Sequence, residues 1–133
     1  MDVVVAVDMQ AGLLDGPPKH ALPGVIERIN SLAAAVRRRS GAVVWIRHCG
    51  KPGDGFERGA PGWEFLPELD RRTDDLVVEK TLNDAFVGTT LTETLQRLVP
   101  DRVLVCGWAT DFCVDSTIRS AVSRDYNLSL IHI

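Results

Sequence analysis

Val103-Leu104-Val105-Cys106-Gly107 runs directly into Trp108-Ala109-Thr110-Asp111-Phe112-Cys113-Val114, and this stretch decides the fold. Its first four residues are an unbroken apolar run of strand length, and Gly107 breaks it. From about Asp111 to Arg124 the apolar residues Val114, Ile118, Ala121 and Val122 return on one helical face. A strand with no polar alternation is buried on both faces, which is the habit of parallel sheets sandwiched by helices. The rest of the chain repeats the pattern. Val3-Val4-Val5-Ala6-Val7, Ala42-Val43-Val44-Trp45-Ile46, Leu76-Val77-Val78 and Leu128 to Ile131 read as further strands. Val25, Ile26, Ile29, Leu32, Ala33 and Val36 form a helical stripe, with Pro23 in the first turn, Arg37-Arg38-Arg39 at the end and Ser40-Gly41 as the stop. Leu91, Leu95, Leu98 and Val99 give a shorter helix, ended by Pro100-Asp101. Residues 49–75, rich in Gly and Pro, read as a long ordered loop. Strands alternating with helices predict an α/β fold: a three-layer α/β/α sandwich around a doubly wound, mostly parallel sheet, Rossmann-like, with five strands.

Composition narrows the function. The 133 residues suffice for one domain. Hydrophobic residues make up 45% and charged residues 25%, which excludes a disordered chain. With 15 Lys plus Arg against 18 Asp plus Glu there is no basic excess to displace phosphate counterions, so no nucleic-acid partner is expected. No apolar run approaches the ~18 residues of a membrane span, and Met1-Asp2-Val3 lacks a basic leader, so no membrane partner is expected. The three cysteines, Cys49, Cys106 and Cys113, have no CxxC spacing, and free thiols in a cytoplasmic protein are expected. Asp8-Met9-Gln10-Ala11-Gly12 after the first strand is not a dinucleotide-binding glycine motif, and no P-loop occurs.

Folds of this kind bind ligands at the carboxyl ends of their strands. Those ends read Asp8-Met9-Gln10, Arg47-His48-Cys49, Glu79-Lys80 and Gly107 to Cys113, so an acid, a lysine and a cysteine gather on one edge. Each has an ordinary reading as well: a turn cap for Asp8, a solvated lysine for Lys80, a small buried hydrophobe for Cys113. Cys106 lies inside a strand run and reads as core, and nothing near Cys49 in sequence activates it. Cys113 differs from both because it falls in the first turn of a helix. The dipole and unpaired N–H groups there are expected to lower a thiol pKa and hold an oxyanion.

These residues resemble the isochorismatase-like cysteine hydrolase family, which includes nicotinamidases, N-carbamoylsarcosine amidases, ureidoacrylate amidohydrolases and streptothricin hydrolases. Three segments carry the resemblance: the opening strand ending in Val7-Asp8-Met9-Gln10, the stretch from Glu79 to Leu91, and Gly107 to Val114. It implies a Cys-Asp-Lys triad of Cys113, Asp8 and Lys80, and an oxyanion hole of the Ala109 and Cys113 N–H groups. It also implies a cis peptide between Trp108 and Ala109. The implied reaction is metal-independent cleavage of a C–N bond in a small amide, ureido or lactam substrate through a thioester. Gln10, Trp63, Phe86, Trp108 and Phe112 are the expected pocket residues. No metal and no other cofactor is expected, because the Asp-x-His pair of metal-binding relatives is replaced by Arg47-His48-Cys49. Asp84 stands where the family usually has serine.

Family members continue past the fifth strand with a helix and usually a sixth strand. The expectation is therefore one domain over residues 1–133, truncated at the C-terminus, with those elements missing. A homodimer or larger homo-oligomer is the family habit. Two alternatives stay open: hydrolysis of an enol-ether acid of the isochorismate kind, and an inactive fragment or interaction domain.

Overall fold

The computed structural model describes residues 1–12, 21–108 and 110–130. Strands β1 (Asp2–Val7), β2 (Ala42–His48), β3 (Leu76–Lys80), β4 (Arg102–Gly107) and β5 (Leu128–Leu130) form one sheet in the order β3-β2-β1-β4-β5. All four neighbouring pairs are parallel, so the sheet is fully rather than mostly parallel. Helices α1 (Leu22–Arg38), α2 (Leu91–Leu98) and α3 (Asp115–Ser123) cover it.

The two cores explain the layers. Val4 and Ala6 of β1 point to one face, where Val43, Trp45, Leu104 and Cys106 meet Ile26, Ile29, Ala33 and Val36 of α1. Val3, Val5 and Val7 point to the other, where Val44, Ile46, Val103 and Val105 meet Leu91 and Leu95 of α2 and Ala121 of α3. The central β1 therefore has no solvent face, and its apolar run is unbroken for that reason. β3 is an edge strand. Leu76 and Val77 are exposed, and only Val78 and Lys80 turn inward.

Gly107 fixes how closely β4 approaches β1. Its φ of 120° is open to glycine, and a Cβ there would lie 2.2 Å from the Val7 carbonyl oxygen. The segment between β2 and β3 is well anchored. Phe65 bridges to Gln10, and Phe65 and Leu69 sink into the α1-side core. Asp75 accepts from Trp45 Nε1 at 2.9 Å and pairs with Arg37 of α1.

The expected single helix from Asp111 to Arg124 is two pieces. A π-helical turn, Thr110–Val114, precedes α3. The Ala109 position and the Trp108-Ala109 peptide lie outside the described residues, as does the expected extension of β5 to Ile131.

Candidate active site

A sheet of parallel strands places every strand's carboxyl end on one edge. The chain leaves β1 by α1 on one face and leaves β4 by α3 on the other, yet β1 and β4 are neighbours. The crevice above their ends is the topological switch point, where such folds bind ligands. Asp8 follows β1 directly. Cys113 lies in the π-helical turn after β4, and Lys80 is the last residue of β3.

The structure brings these three together. Lys80 Nζ lies 3.0 Å from Asp8 Oδ2, and the two side chains are 0% and 2% exposed. The same ammonium donates to Cys113 Sγ at 3.4 Å and to the Leu82 carbonyl at 2.9 Å. Asp8 has a left-handed backbone, φ 56°, which aspartate tolerates better than most residues. Its Oδ1 is buried and has no hydrogen-bond partner among the described residues. A buried carboxylate oxygen without a donor is costly, and it is positioned as a proton acceptor.

The thiol does not behave as its place near a helix start suggests. Burial pushes Cys113 up to about 11, the Asp8 charge and hydrogen bond add to this, and Lys80 pulls the other way. The expected lowering of its pKa is thus corrected to a raising: half-burial and an adjacent carboxylate outweigh the helix end. Among the other thiols, burial pushes Cys106 up to about 12. Cys49 donates to Glu79 Oε2 at 2.7 Å and accepts from Trp63 Nε1 at 3.3 Å, and burial also raises its pKa.

The expected pocket residues separate. Gln10 is fully buried, and both Nε2 hydrogens go to carbonyls, of His48 at 3.0 Å and Trp63 at 2.8 Å, while Oε1 accepts from the His48 N–H. That amide holds the end of β2 and has no donor left for a ligand. Phe86 is buried, stacked on Tyr126 at 6.0 Å with the Arg124 guanidinium over it. Trp63 lies under the Arg47 guanidinium at 3.9 Å. Trp108 packs half-buried against the α1-side core. Phe112 is 62% exposed, directly before the cysteine. Asp84 accepts from the Phe86 N–H at 2.8 Å and shapes the turn after β3.

Two neighbours were not singled out by sequence. His48 Nδ1 lies 3.3 Å from Lys80 Nζ, and Asn83 Oδ1 accepts from the Cys113 thiol at 3.7 Å. The register pairing of His48 with Lys80 was the available signal for the first. Among the described residues no three His, Cys, Asp or Glu side chains converge as metal ligands.

Comparisons with known proteins place the chain in a family. A streptothricin hydrolase of Streptomyces noursei is 29% identical over 135 residues, covering 99% of this chain and 53% of that protein. The chain thus spans about half the length of that relative. An isochorismatase of Pseudomonas putida KT2440 superposes with a TM-score of 0.89 at 30% identity, covering 98% of this chain and 68% of that one. The N-carbamoylsarcosine amidase of Thermoplasma acidophilum superposes with a TM-score of 0.84 at 25% identity, covering 98% and 80%. The family model described as the isochorismatase domain matches residues 2–132, and this chain belongs to that family.

Proposed function

We infer that the chain is a cysteine hydrolase that cleaves a C–N bond of a small amide, ureido or lactam compound. One observation carries the reading. A single buried ammonium touches both a carboxylate whose other oxygen has no partner among the described residues and a half-buried thiol at the switch point of the sheet. A relative named ureidoacrylate amidohydrolase, from Variovorax paradoxus, is 33% identical over 69 residues and supports the substrate class, as do the hydrolase and amidase above.

The chemistry follows from the charges. At neutral pH the raised pKa keeps Cys113 a thiol, so its proton leaves as the sulfur attacks. Asp8 accepts that proton, and Lys80 balances whichever of the two atoms is negative. The tetrahedral oxyanion forms beside the start of the π-helical turn, where the Cys113 N–H and that of Ala109 are the proposed donors. Asp8 then returns the proton to the leaving nitrogen as the C–N bond breaks. Water, activated by Asp8, hydrolyses the thioester and restores the thiol.

The test is a panel of small amide, ureido and lactam compounds offered to the wild type and Cys113→Ala side by side. For any compound turned over, the variant is expected to lose about a thousandfold or more in kcat/KM. Undiminished turnover would sink the reading. The unpartnered Asp8 oxygen also favours a second reading, in which a protonated Asp8 donates to a carbon of an enol-ether acid. There Cys113→Ala keeps most activity while Asp8→Asn loses it.

A further inference from the structure

Lys80 has more acceptors than hydrogens. An ammonium carries three N–H bonds. Four acceptors surround this one: Leu82 O at 2.9 Å, Asp8 Oδ2 at 3.0 Å, His48 Nδ1 at 3.3 Å and Cys113 Sγ at 3.4 Å. The carbonyl and the carboxylate are the nearest and strongest, and they take two hydrogens. The imidazole nitrogen and the sulfur are left to share the third.

The histidine is fixed in that contest. Its backbone is clamped in both directions by the Gln10 amide, and in the sheet register it stands beside Lys80 itself. Facing an ammonium, Nδ1 must present its lone pair, which places the ring proton of the neutral form on Nε2. A thiol sulfur is a weak acceptor and an imidazole nitrogen a good one, so at rest the imidazole takes the larger share of that hydrogen.

We propose that His48 is a positioning residue acting through Lys80: its Nδ1 competes with the Cys113 sulfur for the third hydrogen of the ammonium and thereby restrains the nucleophile at rest. The inference rests on the Asp8–Lys80–Cys113 reading above. When negative charge develops on sulfur, the hydrogen turns from Nδ1 to Sγ, and no bond is made or broken by His48.

Protonation has a definite sign. An imidazolium has no Nδ1 lone pair, so it releases the hydrogen to sulfur, and its positive charge further favours the thiolate. The groups facing the ring are Lys80 on β3, Asp8 after β1 and Asp54 from the segment after β2, with Cys113 beyond Lys80. Burial, then Lys80, hold the imidazole below its ordinary pKa, against the two acids, so it charges only on the acid side of 6.5.

The experiment is the rate of iodoacetamide alkylation at Cys113, read by peptide mass spectrometry from pH 5 to 9. Cys106 is followed as a report of general loosening. His48→Leu removes the acceptor and is expected to react about three- to tenfold faster at pH 8, the equivalent of one ordinary hydrogen bond. His48→Asn, whose Oδ1 stands near the Nδ1 position, is expected to restore the wild-type rate. For a thiol well below its pKa the logarithm of the rate rises by one per pH unit. The wild type is expected to fall below that slope once the imidazole charges, on the acid side of 6.5, and His48→Asn to keep it throughout. A Leu variant that is not faster, or is faster only because Cys106 also reacts, would overturn the proposal. So would a wild-type slope of one that continues through the pH at which the His48 ring gains its proton, followed by NMR, a measurement that needs no variant to fold. Lys80→Met separates the two readings. If it leaves Cys113 alkylation unchanged, the triad reading falls and this inference with it. If it slows alkylation while His48→Leu does not accelerate it, only the role of His48 falls.

Discussion

The central strand β1 carries an acid at each end, and each acid pairs with a cation from another strand. At the amino end Asp2 meets Arg102 of β4 at 2.7 Å, with side chains 23% and 43% exposed. At the carboxyl end Asp8 meets Lys80 of β3 at 3.0 Å, with neither side chain reaching solvent appreciably. The bond lengths are nearly equal, but the surroundings are not. Water screens the first pair and can replace either partner, so its loss matters little. Nothing replaces a partner of the second, so each charge there depends on the other. One sheet thus has an end whose ion pair is dispensable and an end whose ion pair is coupled to a nucleophile.

The comparison breaks most decisively at Lys80. Lys80→Met leaves the Asp8 carboxylate buried without its cation and is expected to cost about 3–5 kcal/mol in chemical denaturation, together with loss of hydrolysis. Gly107→Ala comes next. It forces a methyl onto the Val7 carbonyl at the same end of β1, and the expected cost is on the order of 3 kcal/mol in the same measurement. A smaller effect is the pH dependence of Cys113. With its pKa raised to about 11, alkylation is expected to climb about tenfold per pH unit from pH 7 toward 10. A rise that levels off near pH 9 would show an ordinary, unburied thiol. The smallest effect belongs to the amino end. Asp2→Asn is expected to leave the denaturation midpoint at pH 7 and the activity unresolved from wild type. The Arg102 hydrogen bond lowers the Asp2 pKa, so the carboxylate favours folding above its ordinary 3.8 and ceases to as pH falls through the folded value. Any difference between the two proteins should therefore shrink as pH falls below 3.8.

Much of the carboxyl end was legible in the sequence because parallel strand direction alone sends Asp8, Lys80 and the turn after β4 to one edge. The apolar runs of β1, β2 and β4 were legible because strands buried on both faces contain no polar alternation. β3 was harder. Leu76-Val77-Val78 reads as the same kind of run, but two of the three face solvent on a sheet edge, which composition does not report. Side-chain direction was the larger blind spot. Gln10 and Phe86 stand beside the motif residues in the sequence, yet Gln10 serves the β2 backbone and Phe86 the core. The role of His48 could not be read directly because its partner is 32 residues away and is visible only through strand register. The direction of the Cys113 shift was missed for a similar reason: helix position can be read from a sequence, but burial beside a carboxylate cannot.

The π-helical turn at Thr110–Val114 has a consequence for how the site tolerates change. A π turn is an α-helix with one residue too many, accommodated locally. Each residue of an α-helix advances the next side chain by about 100° and 1.5 Å. The aim of Cys113 is therefore a matter of counting, set by how many residues separate Gly107 from α3 as much as by which ones they are. Substitutions in this turn trade one side chain for another while the sulfur keeps its bearing. A deletion of a single residue would return the turn to α-helical phase, swing the sulfur off Lys80 and Asp8, and shift Val114 of the same turn in the core.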